Sequence, residues 1–505
     1  MYLTAKMFIT DKLVTDLIIA ITTLGIAAYF YIKHKYSYWT NKGVAQLPPT
    51  FPFGNHSKYL PKGISLGGIS EDFYNEFKKQ GQKLGGVYLG LDPYLVVIDV
   101  TYARTIFGKD FSHFLDRGIF HNKKNPLTVN ILTQGGEEWR TSRAKFTSIF
   151  TAAKMKFFFN TMKKCSDELK TNLEIIAKDG NADIDIYEVM ACFFTDVIGS
   201  VTYGVDANSF KSPDAIFRKL GRELFGTFSF PFRIGLFLTI CYPKFAKFIN
   251  IGSFQPDIEQ FFEKFVPDAL DHRIKNNIQR ADFLQLLIEM KNSGIELSKN
   301  EIIGQSFIFF TAGFETSSAV SSLMLYEICK NPDVQEKLRA EINETISKYG
   351  DLTYDATNEM PYFTQIMNET MRKYPLVPSL RRVCVKDYQF PDSNVVIEKG
   401  TNVILPVIGW HHDPDLFPDP EKFDPNRFED KNAKYEGFFP FGEGPRNCIG
   451  ARLGVLQAKL GVAELIRNYK ITLSPNSKEP LGFDRLTFVA KTEDPILVRL
   501  NKINK

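Results

Sequence analysis

Phe441-Gly442-Glu443-Gly444-Pro445-Arg446-Asn447-Cys448-Ile449-Gly450 is the stretch on which the reading of this chain turns. Gly442 and Gly444 permit a tight turn and the close approach of a bulky, flat group. Pro445 fixes the turn. The apolar pattern from Ala451 to Leu465 then reads as a helix, with Cys448 held at its start. A helix N-terminus and backbone N–H donors favour a thiolate over a thiol. A single thiolate in a glycine-rich turn, outside any catalytic triad, suits axial ligation of a haem iron. On these residues alone two other readings stay open: a nucleotide-binding glycine loop and a buried structural cysteine. The first lacks a GxGxxG and a suitable strand pattern before it.

Around this decapeptide lies a chain of 505 residues, long enough for about three domains or for one large one. Sixty-two basic residues against 58 acidic ones leave a net charge of +4, which argues against a nucleic-acid binder driven by bulk charge. With 44% apolar and 24% charged residues the composition is that of a folded globular protein. Forty-five phenylalanines imply a large apolar core, an apolar pocket or membrane contact. Six cysteines without a CxxC pair exclude a disulfide scaffold and a cysteine-rich zinc module, and fit a reducing compartment.

At the other end, Leu17 to Ile32 carries no charge, and Val14 to Ile32 is interrupted only by Asp16. Nineteen helical residues span about 28 Å, enough for a thin bilayer. Tyr29, Tyr31, Lys33, His34 and Lys35 make an aromatic and basic exit. A membrane anchor fits better than a cleaved signal peptide, because the apolar run continues past the small-residue site Gly25-Ile26-Ala27. Basic residues are slightly more numerous after the span than before it, which favours a cytosolic body. Three prolines between Pro48 and Pro52 then predict a stiff hinge. The organisation expected is an anchor over 1–36, a Pro-rich hinge over 37–59 and one catalytic domain over 60–505.

Within that domain the middle reads as helical. Glu137 to Lys154 and Met155 to Lys178 carry apolar residues at three- and four-residue spacing. Ser298 and Glu301 have capping-box spacing, and the sequence from Glu301 to Lys330 is free of proline. Short β-rich pieces lie at Gly86–Leu89, Tyr94–Val100, Asn394–Ile397, Asn402–Leu405 and Ile496–Leu500. The long helix contains Ala312-Gly313-Phe314-Glu315-Thr316-Ser317, and Phe309, Ala312, Gly313, Thr316 and Val320 fall on one face. Gly313 and Thr316 are poor choices for helix propensity, as expected where something must approach the backbone. A hydroxyl at 316 can donate to bound oxygen, with Glu315 relaying protons through water. The other reading is a buried helix with a Ser/Thr kink. Glu369 and Arg372 can pair on a helix, which alone means little. Trp139 and Arg143 share a helix face, where a guanidinium and an indole N–H can serve a carboxylate. His411-His412-Asp413-Pro414 lacks the second cluster that a metal site needs.

Taken together, these segments resemble the cytochrome P-450 family of haem-thiolate monooxygenases. The decapeptide matches the family's haem-binding signature at Phe441, Gly444, Arg446, Cys448 and Gly450. Three further signatures follow the family's order over most of residues 60–505. The resemblance implies a mainly α fold with a small β-rich part, preceded by a transmembrane helix. It implies haem b, with Cys448 as the iron ligand inside the loop of Phe441, Gly442, Gly444 and Gly450. Trp139, Arg143, Arg382 and Arg446 would serve the haem propionates; Arg117 matches less well. Glu369, Arg372 and Arg427, the last in Phe423-Asp424-Pro425-Asn426-Arg427-Phe428, would form a structural triad that locks the loop leading to Cys448. Ala312, Gly313, Glu315 and Thr316 would belong to the oxygen-activating helix. By position, Phe114, Phe120, Phe309, Leu376, Val377, Phe488 and Val489 would line an apolar substrate pocket.

Leu47–Asn55, Asp282–Leu287, Arg372–Pro375 and Val396–Thr401 look like the insect microsomal group, family six or a neighbour. That implies oxidation of lipophilic small molecules such as plant toxins and insecticides. Electrons would come from NADPH–cytochrome P-450 reductase, with cytochrome b5 as a further partner, because the chain has no Rossmann fingerprint and no flavin domain. Arg140, Lys145 and Lys154 are candidates for the basic docking patch. The expected location is the endoplasmic reticulum membrane with the body in the cytosol. Two other functions stay open: a reductase-independent isomerase or dehydratase of fatty-acid hydroperoxides, and a non-enzymatic haem or lipid binder. The intact Glu315-Thr316 pair speaks against both. Finally, Phe228 to Ile240 alternates apolar residues around Pro231, Arg233 and Gly235, and is expected to form a lip at the membrane interface.

Overall fold

The computed structural model describes residues 2–57, 66–178, 180, 182–212, 214–226, 235, 238, 242–249, 254–430, 435–483 and 489–503. The apolar N-terminal run forms helix α1 (Tyr2–Tyr36). From Leu13 to Tyr31 every side chain stands exposed among the described residues. The 24 residues Leu13–Tyr36 reach about 36 Å, long enough to cross a bilayer. An apolar helix of that length with its side chains exposed fits a membrane anchor.

The segment that follows α1 is docked on the body. Trp39 is fully buried and donates its indole N–H to the Val87 carbonyl at 3.2 Å. The Gly86 N–H donates to Ala45 O at 2.7 Å and the Leu47 N–H to Gly86 O at 3.1 Å. Residues 45–47 thus dock on strand β1 (Leu84–Leu89). These residues precede the first proline, Pro48, and keep their own N–H groups for pairing, and one buried indole holds the segment to the body.

The remaining helices used below are α2 (Leu66–Lys79), α3 (Gly136–Thr147), α4 (Ala152–Ile176), α5 (Ile186–Ile198), α6 (Ile216–Phe225), α7 (Pro256–Lys275), α8 (Lys299–Lys330), α9 (Pro332–Tyr349), α10 (Pro361–Lys373) and α11 (Ala451–Asn468). The remaining strands used below are β2 (Asp92–Val97), β3 (Ile184–Asp185), β4 (Leu380–Val383), β5 (Asn402–Leu405), β6 (Tyr469–Leu473) and β7 (Leu497–Lys502). One sheet has the order β1-β2-β5-β4, with β2 and β5 parallel and the other neighbours antiparallel. A second, antiparallel sheet has the order β3-β7-β6.

Local signals explain most of the boundaries. Ser298 caps α8 by accepting from the Glu301 N–H at 3.1 Å, as the capping-box spacing predicts. The apolar run at Tyr94–Val100 ends as a strand at Val97, because Asp99 caps a new helix by accepting from the Thr101 N–H at 2.7 Å. The pattern from Glu137 to Lys154 is broken as well: α3 stops at Thr147, a 3-10 turn spans Ser148–Phe150, and Thr151 caps α4. Ile149 and Met155 are both buried, so the apolar spacing continues across the break and hides it from the sequence.

The apolar core has two parts. The larger gathers the inner faces of α4, α5, α7, α8, α9, α10 and α11. The smaller lies between the four-stranded sheet, α2 and Trp39. Phe439 belongs to the smaller cluster, whereas Phe441 and Ile449 pack on the larger one. The cysteine loop therefore crosses from one core to the other. Of the expected interfacial lip, Phe228 to Ile240, only Gly235 and Leu238 are among the described residues; the rest lies outside them.

Candidate active site between the cysteine loop and the long helix

The loop from Phe441 to Gly450 is closed by its own backbone. The Cys448 N–H donates to Phe441 O at 2.8 Å and the Asn447 N–H to Gly444 O at 3.0 Å. Gly444 has φ +74°, and a Cβ there would collide with the Phe107 carbonyl. Gly444 thus owes its identity to a neighbouring backbone as well as to the turn. Gly442 is also in the left-handed region, at φ +68°. Gly450 is the N-cap of α11. Cys448 is accessible to solvent yet enclosed by protein, the position of a side chain at the bottom of a recess. Burial raises its thiol pKa, and the Gly450 N–H, Arg117 and Arg143 only partly oppose this. The helix start therefore does not by itself hold a thiolate here. A cation bound directly to sulfur would.

Four arginines gather beside the loop. Arg446 is buried, stacks over Trp139 at 4.2 Å and donates to Gln134 O at 2.6 Å. Arg117 donates to Arg446 O at 2.7 Å. Arg143 donates to Asn447 O at 3.0 Å and to its side-chain oxygen at 2.8 Å. Arg382, on β4, lies over the Phe107 ring at 5.2 Å. Desolvation, then the neighbouring guanidinium groups, push Arg446 down to about 9. Desolvation lowers Arg117 to about 10, and it lowers Arg382 most, with Arg117 and Arg446 adding to it. The Nε atoms of Arg382 and Arg446 are buried without a hydrogen-bond partner. Crowded cations with orphaned donors are the complement of an anionic ligand bearing carboxylates. A haem with its two propionates, set against a thiol in a recess, fits this donor set. Sequence reasoning gave Arg117 the least weight of the four, because its contact with the loop is tertiary and leaves no local pattern.

Behind the loop, Glu369 and Arg372 of α10 are both fully buried. Arg372 makes a two-pronged pair with Glu369, at 2.7 and 2.9 Å. Arg427 approaches Glu369 at 3.4 Å, and the Asp424 N–H donates to the same carboxylate at 3.0 Å. Arg372 further donates to Pro420 O at 2.7 Å and to His411 O at 3.1 Å. The His411 ring bridges Met371 O and the Phe439 N–H, at 3.2 and 3.1 Å. Burial first, then His412 and Arg372, lower its pKa to about 3, so the imidazole is neutral and can accept from Phe439. His412 pairs with Glu71 at 2.7 Å. His411 is thus a bridge from α10 to the segment before the cysteine loop, whereas His412 and Asp413 tie to Glu71, Tyr74 and Lys78 of α2.

Opposite the loop, α8 is buried along most of its length, but Ile308, Ala312, Gly313 and Thr316 keep accessible surface. Ile308, Ala312 and Thr316 are spaced i, i+4, i+8, one stripe facing an internal cavity. The stripe differs from the expected one. Phe309 stacks on Phe150 at 5.3 Å and packs in a tilted arrangement against Phe283 at 4.8 Å, and Val320 is buried in the same core. Thr316 donates its hydroxyl to Ala312 O at 2.7 Å. The space beside Gly313 is filled by Ile198 of α5, which a Cβ would meet at 2.6 Å. Gly313 thus serves helix packing, and its carbonyl accepts from Gln457 of α11 at 2.8 Å. Glu315 is turned away from the stripe to the Tyr187 hydroxyl, at 2.7 Å. Neither Gln457 nor Tyr187 carries a sequence signal.

Phe114 is fully buried and packs edge-on to Tyr388 at 4.8 Å. It and Phe309 are core rings rather than pocket walls, because other aromatics cover them. Phe120 is buried outside both clusters, Leu376 and Val489 are half-buried, and Val377 is 44% exposed. Phe488 lies outside the described residues. In the basic patch, Lys145 is tied to Glu301 at 3.2 Å and Lys154 lies 3.7 Å from Glu289, so part of its charge is already neutralised.

Residues 47–499 match the family described as cytochrome P-450. The chain is 38% identical over 496 residues to "Probable cytochrome P-450 6a13" of Drosophila melanogaster, covering 97% of this chain and 99% of that one. It is 37% identical over 508 residues to "Cytochrome P-450 6a2" of the same organism, covering 96% and 99%. To "Cytochrome P-450 6A1" of Musca domestica it is 35% identical over 508 residues, covering 97% and 98%.

Proposed function

Because the chain belongs to the cytochrome P-450 family of haem-thiolate monooxygenases, we propose that it oxygenates lipophilic small molecules from the endoplasmic reticulum membrane, with Cys448 as the thiolate ligand. The observation that carries this reading is the pairing of a recessed Cys448, ringed by Arg117, Arg143, Arg382 and Arg446, with the accessible stripe Ile308-Ala312-Thr316 on α8. The reaction is RH + O2 + NADPH + H+ → ROH + H2O + NADP+. Haem, when bound, supplies the iron at which dioxygen is activated.

The chain's own residues then have distinct tasks. The four arginines take the carboxylates, for which Arg382 and Arg446 have unpaired Nε donors. Gly444 and the two backbone bonds of the loop hold the sulfur in place. Glu369, Arg372, Arg427 and His411 keep that loop in register with α10. Ala312 presents only a methyl group to the cavity, and Thr316 offers a hydroxyl that leaves Ala312 O by rotation about one bond to hold or pass a proton. Exclusion of water by the surrounding apolar side chains keeps that proton path short. Electrons come from NADPH–cytochrome P-450 reductase, since the chain has no nucleotide-binding fingerprint, and cytochrome b5 is a second candidate donor. The substrate class follows from the phenylalanine-rich interior and from the likeness to family-six relatives, with xenobiotics such as plant toxins and insecticides foremost. Helix α1 is the anchor, and the exposed side chains of Phe245, Phe248 and Ile249 are a second contact with lipid.

The test uses purified holoprotein with the reductase. A panel of lipophilic compounds is screened for shifts of the Soret band, and the binders are then followed for NADPH consumption and hydroxylated product. Product that needs NADPH and reductase supports the reading. Rapid conversion of fatty-acid hydroperoxides without NADPH would overturn it.

A further inference from the structure

Glu315 precedes Thr316 by one residue, which turns it about 100° around α8. It is 1% exposed, and its Oε1 accepts from the Tyr187 hydroxyl at 2.7 Å. Tyr187 stands in the first turn of α5. There Asp185 accepts from the N–H groups of Tyr187 and Glu188, at 3.0 and 3.4 Å, so a capped helix end fixes the phenol. The next residue, Glu188, pairs with Arg218 of α6 at 3.1 and 2.6 Å and with Arg222 at 3.4 Å. The Arg222 side chain is 42% exposed, so this network reaches solvent. Lys491 stands over the Tyr187 ring at 5.2 Å and donates to Phe225 O at 3.3 Å. The groups facing Glu315 are therefore Tyr187 and Glu188 from α5, Arg218 from α6 and Lys491 from the C-terminal segment.

A carboxyl that passes protons to Thr316 must present itself on the accessible side of α8, yet here it is bonded to α5. We propose that Tyr187 is a positioning residue for proton delivery, holding the Glu315 carboxylate against α5 and releasing it towards Thr316 once it is protonated. The chemistry of the bond supports this. A hydrogen bond to a carboxylate is roughly twice as strong as one to a neutral carboxyl, so protonation loosens the clamp. The proton enters from solvent and leaves along the hydrogen bonds at Thr316; no electron moves in this step. Burial raises the pKa of Glu315, whereas Tyr187, Lys491 and Arg218 lower it. The clamp thus works against desolvation, and its loss favours the protonated, unclamped form.

This inference rests on the monooxygenase reading of Thr316 and Glu315, and its test is readable without turnover. In resting holoprotein the carboxyl C=O stretch that disappears in Glu315→Gln is titrated by infrared difference spectroscopy. In Tyr187→Phe, which keeps the ring, its midpoint is expected to rise by on the order of one pH unit. Where product forms, the alkaline limb of product yield per NADPH should move up with it, and Tyr187→Phe should change nothing further in the Glu315→Gln background. If Tyr187→Phe fails to load haem, Glu315→Asp withdraws the carboxylate from the phenol by one methylene and is read in the same way. An unmoved midpoint, or an equal effect of Tyr187→Phe with and without the Glu315 carboxyl, overturns the proposal. Should the chain oxygenate none of the compounds tried, the infrared midpoint still decides the role of Tyr187. If it oxygenates them with the midpoint unmoved, only the Tyr187 proposal falls.

Discussion

A thiol at the bottom of a recess whose pKa burial raises, and a hydroxyl parked on its own helix backbone, are the two side chains on which the proposed chemistry turns. Cys448→Ala should fold but lose the red-shifted Soret band of the reduced CO complex, and a variant that keeps the band rules out Cys448 as ligand. Thr316→Ala removes only the bond to Ala312 O, at 2.7 Å, which is a helix back-bond of little structural worth. It should therefore load haem normally, consume NADPH, and give less product with more peroxide. Unchanged coupling would return Thr316 to a packing role. These residues were legible in the sequence because a thiolate ligand, its glycine turn and an Ala-Gly…Thr helix need fixed residue types at short, fixed spacing. Arg117, Tyr187 and Gln457 were not, or only weakly. Their partners lie far away in sequence, as with Tyr187 and Glu315, 128 residues apart, and a pattern search along the chain has no access to such pairs.

Elements hold these side chains through a buried ionic joint between α10 and the segment that leads to the loop. Glu369 and Arg372 have no contact with water, and Arg372 spends its remaining donors on the carbonyls of His411 and Pro420. Breaking one partner of such a pair leaves the other charge buried and alone, at a cost of about 3–5 kcal/mol. A lysine cannot replace the planar two-pronged guanidinium. Glu369→Gln and Arg372→Lys should each yield little or no haem-loaded protein, measured as Soret absorbance per purified chain. Normal yields from either would show that the joint does not hold the loop. At this scale the sequence served starts better than breaks. The Ser298 cap placed the beginning of α8, because an N-cap is a local chemical signature. The break between α3 and α4 was missed, since the core on both sides asks for the same apolar spacing. In the segment after α1, proline content speaks only of backbone stiffness, whereas the docking of Trp39 on β1 is tertiary and leaves no local pattern.

For the whole molecule the question is what would hold the body to a membrane besides the proposed anchor α1. The short helix Pro243–Phe248 carries Phe245 and Phe248, 50% and 86% exposed, and Ile249 after it is 43% exposed. Phe51 is 57% exposed on the segment that follows α1. The two places are joined: Tyr242, at the foot of the short helix, donates its hydroxyl to Pro52 O at 3.3 Å. Large apolar side chains facing water at the end of the chain where α1 emerges make sense as one lipid-facing surface. Fully burying one such side chain is worth roughly 1.5–3 kcal/mol, so a few partly inserted ones suffice for reversible attachment. Because α1 is exposed from Leu13 to Tyr31, its removal leaves the core of the body intact. Protein lacking residues 1–36 should therefore load haem, yet still sediment in part with phospholipid vesicles. Phe245→Ser together with Phe248→Ser should free it, at unchanged haem content. If the truncated protein stays in the supernatant without detergent or high salt, α1 is the whole of the attachment and these phenylalanines have another partner.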